Sequence, residues 1–70
     1  MSEITEQVGN QIREARKRRG LTLKELGEKV GVSESVMSRY EKGKINFTVD
    51  SLQKISSELG TKLNINLSTD

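Results

Sequence analysis

The residues best able to do chemistry in this chain are its cations. Between residues 10 and 47 stand ten Lys and Arg against five Glu, a local excess of +5, while the two ends together carry −3. Such asymmetry suits a polyanion partner for the middle of the chain. A solvated, Lys/Glu-rich helix surface accounts for the same residues. Catalysis has less to work with. There is no His and no Cys, which leaves carboxylates, Lys, Ser or Tyr40 in a sizeable pocket. Glu25 and Glu28 lie three apart on one helical face, but capping and solvation explain both. No metal-ligand spacing and no glycine-rich phosphate loop is present. Neither an enzyme nor a metal or cofactor site is expected.

Seventy residues make one domain, near the lower size limit for an independently stable core. Without Cys there is no disulfide framework. No stretch approaches the roughly 18 apolar residues of a membrane span. The first ten residues, MSEITEQVGN, are acidic and polar, wrong for a signal peptide. A cytoplasmic protein with no membrane partner is expected.

Four helical patterns must position the charged side chains. Ile4, Val8, Ile12 and Ala15 recur at four, four and three residues, predicting a first helix over about Glu3–Arg19 with that stripe inward. Thr22 and Glu25 form a capping box opening a second helix, about Thr22–Val30. Leu26 and Val30 share its inner face, and Gly27 between them leaves room for a second helix to come close. Gly31 can take the positive φ that ends it. Ser33 caps a third helix, about Ser33–Lys42, with Val36, Met37 and Tyr40 as its apolar stripe. Gly43 stops it. Thr48 caps a fourth helix running to about Leu59, with Asp50 in its first turn and Val49, Leu52, Ile55 and Leu59 inward. Phe47 plugs the core beside it.

Gly27, Gly31 and apolar Leu26, Val30, Val32, Met37 and Tyr40 resemble the helix-turn-helix of the Cro/C1 (XRE) family of bacterial and phage regulators. The resemblance extends upstream through Ile12–Thr22 and downstream through Tyr40–Gly60. It implies an all-α, lambda-repressor-like four-helix helix-turn-helix domain over residues 1–60. It also implies a sequence-specific, double-stranded DNA-binding transcriptional regulator, most simply a repressor. Its recognition helix, about residues 33–42, would enter the major groove.

On this resemblance the outward face of the recognition helix is Glu34, Ser35, Ser38 and Arg39, the expected base contacts. Arg39 can donate two bonds to guanine, Ser35 can approach base or phosphate, and Glu34 can accept from cytosine N4 or act as a dipole partner at its helix start. Phosphate contacts are expected from the N–H groups at Thr22 and Leu23 and from Lys42, Lys44 and Asn46. The family usually has Gln where this chain has Leu23, so the side-chain part of that contact is missing. The family also implies a structural ion pair between Arg16 and Glu41, whose geometry suits the planar Arg fork.

Residues 61–70 depart from the common family pattern. Leu63, Ile65 and Leu67 alternate with Asn64 and Asn66, a strand signal. A short C-terminal β-strand pairing with its copy across a two-fold axis would make these three residues a dimer interface. A tail folded back on its own domain, or a short fifth helix, is the alternative. Some antitoxins of the HigA and HipB kind use such a strand, so a toxin protein is a further expected partner. A protein-interaction module that has lost DNA binding is the remaining reading, supported by Leu23 and Glu34.

Overall fold

The protein's computed structural model describes residues 3–63. Four helices follow one another: α1 (Glu3–Arg18), α2 (Leu23–Val30), α3 (Glu34–Glu41) and α4 (Val49–Leu59). Their starts are set by local chemistry. The Glu25 N–H donates to the Thr22 hydroxyl at 3.0 Å, and the Thr22 N–H donates to the Glu25 carboxylate at 2.8 Å. The Val36 N–H donates to Ser33 Oγ at 3.1 Å. Thr48 and Ser51 close a second reciprocal box at 3.0 Å each way. The cap residues therefore stand one position outside the helices they open, so α2 and α3 start a residue later than the sequence pattern, and α1 and α3 each end a residue earlier.

α2 and α3 meet across a tight turn. Gly31, at φ 90°, donates to the Gly27 carbonyl at 2.7 Å, and Val32 donates to the same oxygen at 2.9 Å. Gly27 is small for the sake of this turn rather than of a facing helix: a Cβ there would lie 2.7 Å from the Val32 carbonyl oxygen. α1 and α4 close the core on the other sides. Ile12, Leu26, Met37 and Ile55, one from each helix, are completely buried, with Val8, Ala15, Val30 and Leu59 around them.

Three apolar residues expected inside lie elsewhere. Val49 is 80% exposed. At about 100° per residue it stands about 120° round α4 from Ile55, off the face that meets α1 and α2. Ile4 is 39% exposed, and its neighbour Thr5 is buried instead. The Thr5 hydroxyl donates to the Gly43 carbonyl at 3.2 Å, so the first turns of α1 face the backbone beyond α3 rather than an apolar surface. Val36 is half-buried and outside the core cluster. Phe47 is half-buried and stacks on Tyr40, ring centroids 4.9 Å apart at 15°, with both rings against the core.

α1 comes close to the end of α3 at Gly9, in the interior of α1. A Cβ there would lie 2.6 Å from the carbonyl oxygens of both Tyr40 and Glu41. Gly9→Ala is therefore expected to lower stability by about 1–3 kcal/mol through overpacking, although Ala is the better helix former. The readout is the denaturation midpoint at unchanged slope. An unchanged or higher midpoint would show that α1 and α3 do not touch there.

Glu25 links the α2 cap to pH. The Thr22 N–H, then the Thr22 hydroxyl, and more weakly the charge of Lys29 hold its carboxyl below the usual range. A carboxyl lowered on folding stabilises fully at neutral pH and loses that contribution as pH falls through the depressed value. Glu25→Gln should flatten the acid limb of a stability–pH profile. Parallel acid limbs for both proteins would contradict it.

Candidate nucleic-acid interface

α3 is two-faced by geometry. Met37 and Glu41, one turn apart, point inward and are buried, while Glu34, Ser35 and Arg39 are exposed. Ser38 is half-buried. It lines a shallow recess with Arg13, Arg16, Leu23, Glu41 and Lys42. This recess runs from the side of α1, past the start of α2, to the last turn of α3. It brings Leu23, Ser38 and Lys42 together over the Arg16–Glu41 pair. Lys44 and Asn46 are exposed in the loop after α3, outside the recess, with half-buried Ile45 between them. The Lys44 N–H donates to the Arg39 carbonyl at 2.9 Å, which fixes the start of that loop.

The α2 N-terminus offers fewer donors than the sequence suggests. The capping box consumes the N–H groups of Thr22 and Glu25. Thr22 is thus a cap rather than a free donor, and the N–H groups of Leu23 and Lys24 are the first-turn donors left for an outside acceptor. The Leu23 side chain is half-buried and packs against the core. It replaces polar reach with an apolar anchor for the start of α2.

Beneath the recess Arg16 makes three bonds. Its Nε donates to Glu41 Oε2 at 2.6 Å and its Nη2 to Glu41 Oε1 at 3.1 Å, a bidentate fork. Its Nη1 donates to the Leu21 carbonyl at 2.9 Å, one residue before the α2 cap. The side chains retain only 12% and 6% of their exposure. One guanidinium therefore ties α1 to both the start of α2 and the end of α3. Spacing alone does not signal the Leu21 bond, because a backbone carbonyl carries no residue identity. Gly9 had a readable signal, a glycine inside a helix, where it costs about 1 kcal/mol unless packing requires it. Among the described residues no buried side-chain polar atom lacks a partner, and no group of three or more acidic residues could hold a metal ion.

A family model described as helix-turn-helix, HTH_3, matches residues 12–66. The chain belongs to this helix-turn-helix family, of the Cro/C1 (XRE) type. Among solved structures it is similar to the clp gene regulator ClgR of Corynebacterium glutamicum. That match has a TM-score of 0.84 and 29% identity, covering 89% of this chain and 66% of that one, just under two thirds. It is also similar to the DNA-binding domain of BldD from S. venezulae, at TM-score 0.77 and 30% identity, covering 89% of this chain and 93% of that one. The restriction-modification controller protein C.AhdI from Aeromonas hydrophila shares the fold. It matches at TM-score 0.78 and 24% identity, covering 83% of this chain and 88% of that one. A sequence comparison with curated proteins gives no match.

As a helix-turn-helix domain of this type the chain is DNA-binding and belongs to transcription regulation. Its Arg16 fork has a measurable consequence. Arg16→Met strands a buried carboxylate and is expected to cost about 3–5 kcal/mol, a large share of the roughly 5–15 kcal/mol of a typical domain. Arg16→Met/Glu41→Met removes both charges and should lose less than the single variant. A double variant less stable than the single would overturn the buried-pair reading.

Proposed function

We propose that this chain is a sequence-specific double-stranded DNA-binding transcriptional regulator, most simply a repressor, that reads the major groove with α3. The carrying observation is the recess that joins the α2 N-terminus to the last turn of α3. Leu23 lies at one side and Ser38 and Lys42 at the other, and Arg39 is exposed on α3 outside the recess. Phosphate held by the free N–H groups of α2 and by Lys42 would set α3 against base edges. Arg39 is the base reader of greatest reach, bidentate to guanine O6 and N7. Ser35 stands beside Arg39 on the same exposed face as a further reader, and Glu34, exposed in the first turn of α3, is another. Ser38, recessed between α2 and α3, is better placed at the edge of the contact. Lys44 and Asn46 extend the phosphate contacts along the strand.

α3 has eight residues, about 12 Å of helix, so one copy covers few base pairs. A homodimer on a pseudo-palindrome, with half-sites about 34–36 Å apart, supplies the missing contacts. The C-terminal segment remains the proposed dimer interface. Of its residues, Leu63 is half-buried in no regular structure and packs against the chain's own core. Ile65 and Leu67, and with them the expected strand, lie outside the described residues.

Fluorescence anisotropy with a random-pool duplex across a salt series tests this reading. Log affinity should fall with log salt at a slope of roughly −4, from about 0.9 for each of four Lys contacts in a dimer. A pseudo-palindrome should be enriched from the pool. Arg39→Ala should lose discrimination at one G·C pair per half-site, about 1–3 kcal/mol. Absence of binding at low salt would favour a protein-interaction module instead.

A further inference from the structure

The recognition helix carries one apolar side chain that neither the core nor the proposed polar contacts absorb. Val36 is half-buried, yet it is not part of the core cluster. Val32, Tyr40, Phe47 and Leu52, of comparable exposure, all pack against that cluster. Its place on α3 explains why. Met37 is completely buried and defines the inward direction. At about 100° per residue, Val36 stands about 100° to one side of it. Ser35 and Arg39, both exposed, stand about 160° to either side, on the outward face. Val36 therefore borders that face. The Ser33 cap holds its N–H at 3.1 Å, so its position in the first turn of α3 is fixed. Arg39 follows three residues later, about 4.5 Å along the axis, close to one base-pair step of about 3.4 Å.

We infer that Val36 is a specificity-determining residue whose methyl groups pack against the 5-methyl of a thymine, one or two base pairs from the guanine read by Arg39. This rests on the proposed DNA-reading role of α3. The thymine methyl is the one apolar group on the major-groove base edges. A β-branched side chain in a helix holds essentially one rotamer, so Val36 meets that methyl with little ordering cost. Arg39, about 60° round the helix from Val36, and Ser35 beyond it then supply polar readout to one side of the apolar contact. The chemistry asks for thymine rather than cytosine or uracil, because only the methyl distinguishes the surface that Val36 meets.

The test uses the full chain and the duplex it selects from a random pool. Each thymine of the selected site is replaced in turn by deoxyuridine, which deletes only the methyl. Wild type should bind about three- to five-fold more weakly at one such position per half-site, the loss expected for one buried methyl. Val36→Ala should bind the thymine and deoxyuridine duplexes equally, while keeping the wild-type preference for the guanine. Val36→Thr, which keeps a methyl and the branched shape, should retain part of the discrimination. Thermal unfolding of both variants should stay near wild type, since Val36 is outside the core. The inference is overturned if no thymine position matters to wild type, or if Val36→Ala keeps the same sensitivity. Failure of wild type to bind any duplex would sink the DNA-reading role itself, and is told apart from the other two by the salt series alone.

Discussion

The bidentate pair of Arg16 and Glu41 is the constraint on which the rest of the structure depends. A carboxylate at the end of α3 is buried, and burying it unpaired would cost several kcal/mol. Only a side chain matching both oxygens and carrying a further donor satisfies the site. Arg16 does so and uses that further donor on the Leu21 carbonyl. The start of α2 and the end of α3 are thereby referred to one rigid, planar group on α1. The recess above the pair inherits its shape from that arrangement. A lysine could not hold it, since its point charge offers no fork.

α1 braces the domain in a second way, through backbone rather than charge. Thr5 reaches the Gly43 carbonyl, and Gly9 lets α1 lie against the last carbonyls of α3. Together with the Arg16 fork these contacts run along the length of α1, from Thr5 to Arg16. They hold α3, only two turns long and too short to be stable alone, by its C-terminal end. Its N-terminal end is held by Ser33 and the Gly31 turn. A recognition element must present its outer face without spending side chains from that face on its own support. The contacts that hold α3 all lie on its inner face, its ends and its backbone, which leaves Glu34, Ser35, Arg39 and the flank at Val36 free.

Much of this was legible in the residues. Thr22 with Glu25, Ser33 and Thr48 marked three helix starts, and Gly31 the turn, because capping acts over three residues and leaves its signature in sequence. Ile12, Leu26, Met37 and Ile55 followed from helical period. The Arg16–Glu41 pairing did not follow from spacing, since 25 residues separate the partners. It came from family resemblance. The errors at Ile4, Val36 and Val49 share one cause. A period of 3.6 residues identifies a broad apolar stripe, but the edge of that stripe that meets a neighbour depends on how the neighbour lies.

By itself, then, the sequence determined what is local: four helices, three of them with their caps, the α2–α3 turn, the basic middle of the chain and the central core residues. Each follows from interactions spanning four residues or fewer, or from composition. The tertiary structure decided which backbone comes near. It placed Gly9 under the carbonyls of Tyr40 and Glu41, aimed the third bond of Arg16 at Leu21, and turned Val36 to the border of the outer face. Backbone carbonyls and helix rotations carry no residue code, so they become visible only when the helices are packed.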